Sequence, residues 1–196
     1  FSMDGVSLLR RAGSGWQTVG TISVTGADPA AALAELRAAG EAFGEPPLMC
    51  KLVIPDEQIR YLAVETGETD ADTRLAAAQQ ALEGATPYPL EELAYDLSAA
   101  GPVTHVAAVA IETLAEAESF ALENGFLPAS FVAAPDAGTF AGEPFFGTAR
   151  AIRGTEIEPE SIPVTAQLDT IPEPEAEEAA QAGTAAEEAE QEIAAA

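Results

Sequence analysis

Cysteine is nearly missing from this sequence. Cys50 stands alone, so no disulfide can close within the chain, and one thiol fits a reducing compartment. Histidine is as scarce. His105 has no cysteine pair or second histidine with which to build a metal cage, and no serine or cysteine stands close to it in sequence. Positive charge is the third shortage, with 8 Lys and Arg against 33 Asp and Glu. Affinity for nucleic acid comes largely from Lys and Arg neutralising phosphates, and anionic lipid attracts basic segments. The charge balance therefore disfavours binding of either across the whole surface. Long apolar runs are missing too: the longest uncharged one, 106–111, falls far short of the roughly 20 residues that span a bilayer. No secretory signal pattern is visible, and Phe1-Ser2-Met3-Asp4 opens in mid-strand, as in a piece of a longer protein. P-loop, Cys-x-x-Cys and His-Glu-x-x-His motifs do not occur.

What is present suits a packed core. The chain has 196 residues, 47% of them hydrophobic, enough for one ordinary domain and an appendage. Charge is unevenly placed. Eight bases and 21 acids precede Gly154; 12 acids and no base follow from there. Pro, Glu, Ala, Gln and Thr dominate 154–196, and such a segment buries too little apolar surface to offset its ordering entropy. It reads as a disordered acidic tail or linker.

Taken in order, residues 3–10 and 16–24 form a predicted hairpin about Gly13-Ser14-Gly15, with Trp16, Val19, Ile22 and Val24 as apolar members of the second strand. Asp28 caps a helix with Pro29 at its first position and Leu33 and Leu36 on its inner face. Leu52-Val53-Ile54 is a strand stopped by Pro55-Asp56. Residues 59–64 read as a second strand, apolar at consecutive positions and so covered on both faces. Thr69 or Asp70 caps a helix with Leu75, Ala78 and Leu82 inward, ended by Gly84 in the left-handed region. After Pro87-Tyr88-Pro89 come an extended segment, a dense strand at 103–111, a helix over 112–124 and a short strand at Phe131-Val132-Ala133. Strands alternating with helices predict an α/β fold with a mixed sheet, antiparallel through hairpins and parallel through crossovers, as in a ribonuclease H-like or actin-like half. Phe140, Phe145 and Phe146 sit among glycines, too broken for a strand. Segment 137–153 is expected to dock back on the domain, the alternative being a linear motif for a partner.

Two chemistries have candidate residues. Asp4, Asp96 and Asp136 lie near strand ends, where a divalent-metal nuclease of ribonuclease H-like fold would need them. Three such placements are expected by chance among 33 acids, and the bases to hold a nucleic acid are lacking. Asp4, Gly5 and Ser7 resemble a degenerate phosphate-cradling turn, with one glycine and no following lysine. Cys50, heading an apolar strand, reads as a small core residue.

The stretch Thr86-Pro87-Tyr88-Pro89-Leu90-Glu91-Glu92-Leu93-Ala94-Tyr95-Asp96 resembles a segment of the actin-like proteins of type IV pilus assembly and type II secretion, the PilM and GspL types. Leu52-Val53-Ile54-Pro55, the 59–64 strand, Val106-Ala107-Ala108-Val109-Ala110, Gly125-Phe126 and Ser130-Phe131-Val132 follow in the family's order. The resemblance implies an actin-like domain over 1–136 with a small inserted α/β subdomain, at the cytoplasmic face of the inner membrane. It also implies a scaffold that binds short tails of membrane proteins. Of the family's phosphate pattern, Asp-x-Gly-Ser-Ser-Ser-x-Lys, only Asp4 and Ser7 are matched, and the second actin-like half is missing. The expectation is a non-catalytic, cytoplasmic interaction domain without cofactor or metal. Its partners would be proteins, the tail of an inner-membrane protein or a second copy of the chain among them. Ile59, Tyr61, Tyr88, Leu90, Leu93, Phe145 and Phe146 are the expected partner-binding residues, about a groove between a 50–64 hairpin and strands at 90–109. The alternatives are an ATP-binding domain completed by other parts or by dimerisation, and the metal nuclease.

Overall fold

A computed structural model describes residues 5–152 together with Ile157 and Val164. Asp4, and the 154–196 tail apart from those two residues, lie outside it. The chain opens with β1 (Gly5–Ala12) and β2 (Gly15–Ser23), an antiparallel hairpin whose turn rests on Gly13 at a φ of 54°. Helix α1 (Pro29–Glu41) starts where the Asp28 carboxylate accepts the Ala31 N–H at 3.0 Å. It packs on β2, with Leu33 and Leu36 buried. At Gly40 a Cβ would stand 2.7 Å from side-chain atoms of both Leu8 and Leu48. Any larger residue there would push the Leu8 and Leu48 methyls aside.

Strand β3 (Leu48–Ile54) stops at Pro55, and one 3-10 turn (Asp56–Gln58) leads into β4 (Arg60–Glu65). Helix α2 (Ala71–Glu83) is capped by Asp70, which accepts from both the amide and the hydroxyl of Thr73. A 3-10 turn (Leu90–Glu92) precedes β5 (Leu93–Ala100), then β6 (Val103–Ala110), α3 (Ile111–Glu123), β7 (Phe126–Ala133) and β8 (Phe145–Thr148).

The expected element order is observed, and the fold is mixed α/β with three helices among the described residues. The strands form three sheets: β1-β2, antiparallel β4-β6-β5, and a mixed β3-β7-β8 in which β3 runs parallel to β7. The connection from β3 to β7 thus carries the whole of β4 to α3, and β4-α2-β5-β6 closes into a sheet of its own.

Strand β6 joins the two cores. Ala107 and Val109 face a core built with Leu52, Ile54, Leu114, Phe131, Phe140 and Phe146. Val106 and Ala108 face the other way, onto Ala78, Leu82 and Leu93. Covering both faces explains an unbroken apolar run in a central strand.

Several expectations are corrected. The 50–64 hairpin does not form, because β3 pairs with β7 and β4 with β6. Strand β4 is an edge strand, and no residue in it is buried. Leu75 is 36% exposed and points off the helix's inner face. Gly84 closes α2 at a φ of −107°, a right-handed conformation. The last predicted strand is longer, starting at Phe126. It tolerates Pro128 because the register with β3 slips there, from Cys50 opposite Pro128 to Lys51 opposite Ser130. Phe145 and Phe146 do lie in a strand, β8, which pairs with β7. Within segment 137–153, Phe140 and Phe146 are buried. Asp96 Oδ2 accepts the Phe145 N–H at 2.9 Å, and Ser98 Oγ accepts that of Ala141 at 3.0 Å. No helix among the described residues is long and apolar enough to cross a membrane.

Candidate functional site

A cavity of about 870 Å³ lies between the β1-β2-α1 unit and the β3-β7 face. Its walls are largely apolar, with Leu8, Leu33 and Leu36 on one side and Leu52, Phe126 and Val132 on the other. The volume is within the range of ordinary ligand pockets. Phe43, just past α1, and Met49, on β3, also line it and are 57% and 64% exposed, so apolar surface continues out to solvent.

Cationic groups gather around this apolar space. Arg10, Arg11 and Lys51 line it, three of only eight bases in the chain. Arg10 stacks on the Phe43 ring, 4.4 Å from its centroid, and donates twice to Gln17 Oε1, at 3.0 and 2.6 Å. Lys51 Nζ lies 4.5 Å from the Trp16 ring centroid, and Arg11 faces the same ring at 5.8 Å. Lys51 also pairs with Glu143 Oε1 at 2.7 Å, both side chains being 10% exposed or less. The other oxygen, Glu143 Oε2, accepts the Val164 N–H at 2.6 Å. Glu143 is therefore satisfied at both oxygens, which is what a buried carboxylate requires. Gln17 Nε2 is buried and has no hydrogen-bond partner among the described residues.

Cys50 lines the same cavity, and burial pushes its thiol up to about 11. It stays protonated near neutrality and serves as a small apolar group rather than a nucleophile.

The residues singled out from sequence are scattered. Phe145 and Ser7 line the cavity. Gly5 and Ser7 lie in β1, paired with Ser23 and Thr21, and the Ser7 hydroxyl shares a 2.9 Å hydrogen bond with that of Thr21. They are extended strand, not a turn, and Asp4 is outside the described residues. Ile59 and Tyr61 pack against the main core, where Tyr61 donates to Asp56 Oδ1 at 2.7 Å. Burial, then that hydrogen bond and the charges of Asp56 and Asp136, push the phenol well above its ordinary value. Leu90 and Leu93 belong to the α2 core, Tyr88 is 40% exposed, and Phe146 is buried in the main core. The expected groove does not bring these side chains together. The carboxylates proposed for a nuclease have other neighbours: Asp96 holds the Phe145 amide and Asp136 is exposed. Among the described residues no three His, Cys, Asp or Glu side chains are grouped to hold a metal.

Sequence reasoning missed Arg10, Lys51 and Glu143. A lysine inside the apolar run Cys50-Lys51-Leu52-Val53 is the one signal available, since a charge at a half-buried strand position calls for a partner.

No protein-family model and no curated protein matches this chain.

Proposed function

We propose that this chain is a non-catalytic protein-interaction domain whose recognition site is the cavity beside the β1-β2 hairpin. The observation that carries the reading is a hollow with apolar walls, open through exposed Phe43 and Met49, and bearing three of the chain's eight bases. Apolar area supplies affinity for a partner side chain. Fixed cations select an acidic partner segment and steer its approach. The occupant that fits is a protein segment with spaced aliphatic residues and flanking carboxylates. The resemblance of 86–96 to pilus-assembly and secretion scaffolds supports a scaffold role at the cytoplasmic face of a membrane, on an actin-like domain with an inserted subdomain.

Affinity selection of a displayed random-peptide library on the full chain tests this. Selected peptides should be rich in Asp, Glu and aliphatic residues, and should lose at least tenfold in affinity to a Met49→Asp chain that melts like the parent. Peptides of no common chemistry, or binding indifferent to Met49→Asp, would overturn the reading. A rise of several degrees in melting temperature with Mg-ATP would move the site to nucleotides, since a ligand bound only to the native state must stabilise it.

A further inference from the structure

The acidic C-terminal segment reaches the cavity. Ile157 and Val164 both contribute to its wall, although each lies beyond the point where acids alone carry the charge. Val164 is 4% exposed, as deeply buried as the core leucines of α1. Its backbone N–H is gripped by Glu143 Oε2 at 2.6 Å, a charge-assisted bond. Glu143 can offer that oxygen while buried because Lys51 neutralises it from the other side. The anchor for Val164 is thus built from β3 and the connection entering β8, and it opens onto the same space as Arg10, Arg11 and Trp16.

Charge points the same way. From Gly154 onward the chain has 12 acids and no base, whereas all eight bases precede it; Arg10 and Arg11 line the cavity together with Glu45 and the Lys51–Glu143 pair. Ile157 stands between Glu156 and Glu158, and Ile162 and Val164 follow Glu160, which is the aliphatic and acidic chemistry that such a wall selects.

We infer that the acidic segment anchored at Ile157 and Val164 is the cavity's own ligand in cis, so that a partner of like chemistry must displace it to bind. The inference rests on the interaction reading above and names what competes for that site. A tethered segment is present at high effective concentration, so even weak contacts hold the site closed against a free competitor.

The test uses the full chain, wild type and Val164→Asp, and a labelled synthetic peptide of residues 154–170. Trp16 lines the cavity and is the chain's one tryptophan, so acrylamide quenching reports its accessibility. The expected result is easier quenching in V164D and peptide binding at least tenfold tighter to V164D than to wild type. Equal binding to both, or no binding to a V164D chain with native circular dichroism, overturns the inference. Should V164D fail to fold, the wild-type chain decides through salt: rising NaCl should expose Trp16 as the charge attraction is screened, and an unchanged quenching constant overturns the proposal. A library-selected acidic peptide run alongside separates the two ideas. If it binds V164D and 154–170 does not, the cis ligand is lost and the interaction domain stands. If neither binds, both fall.

Discussion

Single residues in this chain carry unequal weight, and Arg74 carries the most polar contacts outside the cavity. From α2 its guanidinium donates to Thr69 O at 3.2 Å, to Thr66 Oγ1 and Thr104 Oγ1 at 2.9 and 2.8 Å, and to the carbonyls of Gly67 and Gly101 at 2.8 Å each. Five donors in one plane tie the helix to the end of β4 and to the β5-β6 turn. Thr104 is 1% exposed, so deleting its donor removes a buried hydrogen bond. Arg74→Ala should cost about 2–3 kcal/mol, as expected when several bonds to a charged group are lost and water replaces only some. Arg74→Lys should recover little, because a point ammonium cannot fill a five-donor fork. Urea unfolding of both variants measures this; a loss below about 0.5 kcal/mol for Arg74→Ala would show the network to be solvated and dispensable.

At the scale of elements, apolar residues from different strands have opposite duties. Phe146 points into the main core and is 6% exposed, whereas Met49 presents 64% of its surface at the cavity mouth. Phe146→Ala should destabilise the protein by about 3–5 kcal/mol through lost transfer energy and a residual cavity. Met49→Ala should stay within about 0.5 kcal/mol while weakening peptide binding. Thermal melts give the first two figures and anisotropy the third. This division was not legible in the sequence, because FAGEPFFG shows neither period. Strand β8 exists through its pairing with β7 and the Asp96 bond to the Phe145 amide, both long-range. The helices were legible because their signals are local: Asp28-Pro29 and Asp70 cap them, and Leu33, Leu36, Ala78 and Leu82 repeat at helical spacing. Strands were legible as strands, but not their partners. Pro55 following Ile54 reads equally well as a hairpin turn or as a passage between sheets, and only the pairing of β3 with β7 decides. The cavity was missed for the same reason, since its cations come from β1 and β3, strands distant in sequence and in different sheets.

For the whole molecule, the imbalance of 8 bases against 33 acids makes salt an informative variable. A net charge of −25 repels itself, and screening that repulsion should favour the compact state. The Debye length falls from about 30 Å at 0.01 M to about 10 Å at 0.1 M, so most of the relief should come within that range. Melting temperature should therefore rise with NaCl by a few degrees and then level off. The attraction between the acidic segment and Arg10 and Arg11 is screened by the same ions, yet its loss should appear as greater quenching of Trp16. One titration thus yields two responses of opposite sense, a stabler domain and a more open cavity. A general loosening of the fold would also expose Trp16 but would lower the melting temperature. Calorimetry and quenching on one sample series therefore distinguish release of a docked segment from partial unfolding. If Trp16 stays protected while the melting temperature rises, charge holds no segment over the cavity and the cis-ligand proposal falls. The selectivity for acidic partners would then have to be abandoned.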